Sequence, residues 1–307
     1  MAESVAALDC GSNSTRLLVV DADGRARRRE MRITRLGEGV DAAGALAAPA
    51  LARTYAVLDE YRAIMDEEGV SRGLLVATSA VRDASNGRAF VDEAARRTGV
   101  AARILSGREE AAYSYAGATS DLEADPRPTT IIDVGGGSTE LAASIDGELV
   151  STSLQLGCVR VTERALGAGP AGAEAVDATR RMIESELDRA FLAAPTLARL
   201  VGRTRLVGLA GTVATLAQLD AGLTHYDRSV VHHRRLALAT VLDWRDRLTR
   251  ETPATRLTHP GMVVGREDVL PAGLFVLAAA MARLGVSEVL SSESDILDGV
   301  AASLRGA

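Results

Sequence analysis

The stretch Ile131-Ile132-Asp133-Val134-Gly135-Gly136-Gly137-Ser138-Thr139-Glu140-Leu141 decides the fold. β-Branched residues lead in, which suits a buried strand. An acid, three glycines, two hydroxyls and a second acid follow. Adjacent glycines leave no side chain in the way of an incoming group, and they let backbone N–H groups turn inward as an anion cradle. Ser138 and Thr139 add hydroxyl donors, and Asp133 and Glu140 flank the cradle. An acid beside a phosphate is unfavourable unless a cation screens it, so the pairing suggests Mg²⁺. Taken alone, the stretch fits a glycine-rich hairpin turn with solvated acids equally well.

A second stretch, Val5-Ala6-Ala7-Leu8-Asp9-Cys10-Gly11-Ser12-Asn13-Ser14-Thr15-Arg16-Leu17-Leu18-Val19-Val20-Asp21, repeats the layout: apolar strand, acid, small hydroxyl-bearing turn, apolar strand. Two such units read as a duplicated phosphate-binding hairpin. The arrangement resembles the actin, Hsp70 and sugar-kinase superfamily. That resemblance implies an α/β fold of two similar actin-like (ASKHA, ribonuclease H-like) domains with the ligand in an inter-domain cleft. More closely, DCGSNSTRLLV and DVGGGSTEL resemble the first and second phosphate loops of the exopolyphosphatase and guanosine pentaphosphate phosphatase family.

At 307 residues a single core is near its upper size, so two domains are expected, 1–126 and 127–307, with the last helix a candidate to pack back on the first. Hydrophobic content of 47% and charged content of 25% are those of an ordinary soluble globular protein. The cysteines, Cys10 and Cys158, are too few for a disulfide framework and read as reduced thiols in a cytoplasmic protein. No apolar run is long enough to span a bilayer, and Met1-Ala2-Glu3-Ser4 lacks the basic start of a signal peptide, so no membrane partner is expected. A net charge of −6 argues against broad nucleic-acid binding. It leaves an anionic substrate open, because a local arginine cluster still acts. Lysine is absent and every basic side chain is arginine, which suits bidentate phosphate contacts. Genome composition produces the same excess, so it is not read as functional by itself.

Further segments carry the resemblance in order. Thr34-Arg35-Leu36-Gly37-Glu38-Gly39 resembles a family RLGEG segment. The strand Leu74–Thr78 runs into Ser79-Ala80-Val81-Arg82-Asp83-Ala84-Ser85-Asn86, where the family places an arginine near substrate; Arg82 is read as a phosphate contact against the alternative of an ion pair with Asp83 or another acid. In Ser106-Gly107-Arg108-Glu109-Glu110-Ala111, a capping box explains Glu109 well and Glu110 less well. The resemblance implies that Glu110 is the catalytic glutamate, the base that activates or orients water, with Glu109 supporting or alternative. Asp121–Thr129 reads as a linker. In Ser153–Glu163, Arg160 is equally suited to phosphate or to pairing with Glu163. Leu209-Ala210-Gly211-Thr212 reads as strand, turn, helix, and the resemblance turns Gly211 and Thr212 into contacts for a further phosphate. His232 and His233 are adjacent and should not share a face, and with no HxxxH spacing a zinc site is not expected. Leu236–Thr249 reads as a helix. Asp295 stands where the family usually has glycine, and no role is assigned to it.

The resemblance implies an exopolyphosphatase. Gly11, Ser12, Asn13 and Ser14, together with Gly135, Gly136, Gly137, Ser138 and Thr139, hold terminal phosphates. Mg²⁺ or Mn²⁺ sits near Asp9, Asp133 and Glu140, Glu110 aligns the attacking water, and Arg82 balances charge. The alternatives are a guanosine pentaphosphate 5′-phosphohydrolase on the same site and a non-catalytic sensor of polyphosphate or alarmone. A homodimer is a family-based expectation. Longer family members carry a further C-terminal helical domain, before which this chain ends.

Overall fold

A computed structural model describes residues 4–306. The expectation drawn from Met1–Glu3 lies outside the described residues. The chain divides into two compact units, Met1–Gly117 with Asp295–Ala307, and Ala118–Ser294. The first division falls at 117/118 rather than at 126/127, and the end of the chain rejoins the first unit.

In the first unit, β1 (Ser4–Cys10), β2 (Ser14–Val20), β3 (Ala26–Ile33), β4 (Val70–Ala77) and β5 (Ala101–Ile104) form a sheet of order β3-β2-β1-β4-β5. β1 lies antiparallel to β2 and parallel to β4. Both faces of this sheet are covered, so its central strands are continuous apolar runs. One face packs Leu8, Leu17 and Leu75 on Leu58, Tyr61 and Phe90, from the helices Ala48–Glu67 and Gly87–Thr98. The other face packs Val5, Ala7, Leu18 and Val76 on Ile296, Leu297 and Val300 of the terminal helix Ile296–Arg305. β3, ARRREMRI, is the exposed edge, and its arginines discourage pairing with another strand.

In the second unit, β6 (Thr129–Val134), β7 (Thr139–Ile145), β8 (Glu148–Leu154), β9 (Arg205–Leu209), β10 (Arg235–Ala237) and β11 (Glu288–Ser291) give the order β10-β11-β9-β6-β7-β8. Asp146 and Gly147, with φ of 55° and 83°, make the tight turn between β7 and β8. The helix Leu270–Leu284 is apolar nearly all round and lies inside the core. β6 pairs antiparallel with β7 and parallel with β9, and β9 pairs parallel with β11. The strands β6, β7, β8, β9 and β11 thus repeat β1 to β5 in order and sense, the duplication expected of an actin-like chain.

One local reading differs: Leu236 lies in β10, with the helix following as Leu238–Arg250, while Ser79–Asp83 forms a short helix. Among the described residues, no helix is long and apolar enough to cross a membrane.

Candidate active site

Asp9, Gly11–Ser14, Arg82, Glu109 and Glu110 lie in the first unit. Asp133, Gly135–Thr139, Glu140, Arg160, Gly211 and Thr212 lie in the second.

The two hairpins share one geometry. Asp9 pairs across the ladder with Arg16 and Cys10 with Thr15; Asp133 pairs with Glu140 and Val134 with Thr139. Each loop is closed by the same bond, Gly11 N–H to Ser14 O at 3.0 Å and Gly135 N–H to Ser138 O at 3.1 Å. A neighbouring segment ties down the loop carbonyls in each unit. Gly37 N–H donates to Ser12 O, and Thr34 and Arg35 N–H donate to Asn13 O. In the second unit, Cys158 N–H donates to Gly135 O, and Val159 and Arg160 N–H to Gly136 O. Carbonyls held this way are satisfied within the protein, as a cradle for anions requires. A Cβ on Gly157 would overlap the Gly136 backbone, which explains the glycine at the start of that segment.

The hairpins differ in charge at the paired position. Opposite Asp9 stands a cation: Arg16 donates from Nε at 3.0 Å and Nη2 at 2.7 Å, both to Asp9 Oδ2. Arg16 Nη1 also donates to Asp295 Oδ2. Burial pushes the Asp9 carboxyl up against the pull of Arg16. Burial alone would raise Asp295 too, but Arg16 and Arg29 outweigh it and hold that carboxyl below its ordinary value. Opposite Asp133 stands a second acid, Glu140, on the same face of the ladder. Asp133 is 8% exposed and Glu140 1%. Ser153, Glu140's other cross-strand neighbour, donates its hydroxyl to Glu140 Oε1 at 2.7 Å. Two buried carboxylates on directly opposed positions repel each other in the absence of a cation or proton. The donor set is oxygen-only, as Mg²⁺ prefers.

The helix Gly107–Thr119 separates its two acids. Glu109 closes a capping box: Ser106 N–H donates to Glu109 Oε2 at 2.9 Å, and Glu109 N–H donates to Ser106 Oγ at 3.2 Å. The bonds from Ser106 lower its carboxyl pKa. Its side chain is 44% exposed, whereas that of Glu110 is 9% exposed. Arg82 donates to Glu110 Oε2 at 3.1 Å and to Leu105 O at 2.8 Å. The acid that meets Arg82 is therefore Glu110, not its sequence neighbour Asp83.

Arg160 is buried and bonds Gln155 Oε1. Gly211 and Thr212 open the helix Ala210–Ala221, and Ala210 holds a left-handed φ of 63° at the junction. Thr212 Oγ1 donates to Val134 O at 3.4 Å. The guanidinium of buried Arg266 occupies the space that a Cβ on Gly211 would fill. Sequence reasoning missed Arg266, Ser153 and the partnership of Arg16. For Arg16 and Ser153, the cross-strand register was the available signal; Arg266 has no local one.

His232 and His233 do meet, contrary to expectation, because His233 adopts a left-handed φ of 60°. Their rings stack with centroids 3.8 Å apart, and Asp121 lies 3.1 Å from His232 Nε2 and 3.5 Å from His233 Nε2. Among the described residues, this is the one His, Cys and acid cluster close enough to surround an ion. Its hydrogen bonding opposes that use. Glu293 N–H donates to His232 Nδ1 at 3.0 Å, so neutral His232 carries its proton on Nε2 and offers Asp121 a donor rather than a lone pair. Burial, then Arg228 and His233, push the His232 pKa down and favour that neutral ring.

The sequence and the fold both have known relatives. The profile of the Ppx/GppA phosphatase family matches residues 22–305. Exopolyphosphatase 2 of Mycobacterium tuberculosis is 39% identical, over 98% of each chain. A crystal structure described as an exopolyphosphatase-like protein superposes with a TM-score of 0.92, 32% identity and 99% of each chain covered. The Aquifex aeolicus PPX-GPPA enzyme gives 0.80, with 28% identity over 99% of this chain and 100% of that one. Twin strand–acid–loop–strand hairpins on a repeated sheet, and a profile that runs almost end to end, make this chain a member of the Ppx/GppA phosphatase family.

Proposed function

We propose that this chain is an exopolyphosphatase, hydrolysing the terminal phosphoanhydride bond of inorganic polyphosphate and releasing orthophosphate with Mg²⁺, or Mn²⁺, as cofactor. The observation that carries the proposal is Glu110. It is a carboxylate buried in the first turn of a helix whose cap is already supplied by Glu109, and it is held by Arg82. A binding protein needs no such group. The name of the mycobacterial relative points the same way.

In this reading the loops at 11–14 and 135–139 offer N–H and hydroxyl donors to phosphate oxygens. Gly211 and Thr212, at a helix N-terminus, receive a further phosphate. Asp133 and Glu140 hold the divalent cation, which supplies charge neutralisation to the phosphate oxygens when bound. Asp9 already faces Arg16, which favours the other two acids over it as metal ligands. Glu110 aligns a water with the terminal phosphorus and takes its proton, while Arg82 fixes the carboxylate. A polyphosphate one unit shorter remains. A homodimer belongs to the same reading, as the family resemblance implies, and a cytoplasmic location goes with Cys10 and Cys158 as reduced thiols.

The test is orthophosphate release from polyphosphate with Mg²⁺, wild type against Glu110→Ala, with guanosine pentaphosphate and ATP in parallel. Loss of release with binding retained supports the hydrolase. Preference for guanosine pentaphosphate reassigns the substrate. Tight binding without release by wild type would leave a sensor instead.

A further inference from the structure

Asp295 occupies a position that chain topology makes unusual. It caps the terminal helix, accepting from Leu297 N–H at 2.9 Å, while Asp298 closes the capping box by accepting from Asp295 N–H at 2.8 Å. Its other oxygen meets Arg16 Nη1. Arg16 then presents its Nε and Nη2 edge to Asp9. Arg29 completes the group, with Nη2 2.6 Å from Asp298 and Nη1 3.9 Å from Asp295. Asp295 is 6% exposed and Asp9 4%. The cap is held in place by backbone contact: a Cβ on Gly117 would overlap Asp295 O, and one on Gly299 would overlap Tyr113 O. Gly117 and Tyr113 belong to the helix that carries Glu110.

We propose that Asp295 is a positioning residue for the first phosphate hairpin, orienting the Asp9 carboxylate through Arg16. A guanidinium shared between two acids on its two edges has one available rotation. With Asp295 in place, Arg16 does not belong to Asp9 alone. The cluster counts three acids (Asp9, Asp295, Asp298) against two arginines (Arg16, Arg29), so each guanidinium is shared and neither belongs to a single carboxylate. Without Asp295, the Nη1 edge of Arg16 loses this contact, and Asp9, bonded to the opposite edge, shifts with the guanidinium. The consequence for catalysis rests on the exopolyphosphatase reading; the link from Asp295 to Asp9 does not.

The experiment pairs a crystal structure of Asp295→Asn with kinetics of polyphosphate hydrolysis. Asparagine still caps a helix, so the substitution removes the charge and spares the cap. Arg16 and the Asp9 carboxylate are expected to shift, kcat to fall about 10- to 100-fold at nearly constant KM, the range seen when outer supporting residues are removed, and Asp295→Glu to recover part of kcat. A merely structural role would lower the thermal midpoint and leave kcat of the folded fraction unchanged. An Arg16 still forked on an unmoved Asp9 overturns the proposal whatever the activity, and so does a displaced Asp9 with undiminished kcat. If wild type releases no orthophosphate while the variant displaces Asp9, the exopolyphosphatase reading fails and the positioning link is upheld. Should Asp295→Asn fail to fold, Arg16→Gln cuts the same link from the other side, and a normal kcat there overturns the proposal.

Discussion

Glu109 and Glu110 differ by one position and by what surrounds them. Glu109→Ala removes one half of a capping box, with an expected cost of about 1 kcal/mol in thermal or denaturant unfolding and little change in kcat. Glu110→Gln keeps size and helix propensity and is expected to lower kcat by about 100-fold or more, the scale of a lost general base, at an almost unchanged melting temperature. The Glu109 effect carries a pH signature. Its carboxyl is lowered in the folded state, so its contribution is present above the ordinary value of 4.5 and is lost as pH falls through the lower folded pKa. The stability gap between wild type and Glu109→Ala should therefore close on acidification below 4.5, in melting curves taken across that range.

At the scale of the element, the hairpins were the most legible part of the chain, because strand, acid, loop and returning strand are all specified locally. The twinned Asp133 and Glu140 follow from the same register. The register also makes the two hairpins unlike, cation opposite acid in one and acid opposite acid in the other, a distinction that motif matching passes over. What stayed hidden depends on distant chain. Arg16 and Asp295 are 279 positions apart, and Arg266 reaches Gly211 from a different loop. The histidine pair was misread for a different reason: face alternation assumes extended or helical backbone, and His233 adopts neither. Gly157 tests the packing of the glycine loop. In Gly157→Ala the new methyl group meets backbone, which cannot rotate away, so a loss of about 1–3 kcal/mol is expected from overpacking. Orthophosphate release should fall with it, as the loop carbonyls lose their anchors at 158–160.

At the scale of the whole molecule, the partition into two units was legible from length and from the repeated hairpin. The return of the last helix to the first unit was anticipated too, whereas the boundary at 117/118 was not, because packing rather than a local turn signal fixes it. Deleting 295–307 exposes the sheet face made by Val5, Ala7, Leu18 and Val76 and removes Ile296, Leu297 and Val300 from it. Each of those three side chains contributes about 1.5–3 kcal/mol when buried, a sum comparable with the whole stability of an ordinary domain. Limited proteolysis of the truncated chain should therefore digest the first unit and spare a fragment near 118–294. Equal protection of both units would show the last helix to be dispensable.

The same topology sets an order on synthesis. A ribosome delivers residues 4–117 first, yet the sheet they form lacks the cover of one face until residue 295 and its successors have left the exit tunnel. The second unit, contiguous from 118 to 294, is complete before that moment. The half of the protein that is made first is thus finished last, and throughout elongation the strands that carry Asp9 depend on chaperones, or on transient collapse, to shield an apolar face that only the final helix can close.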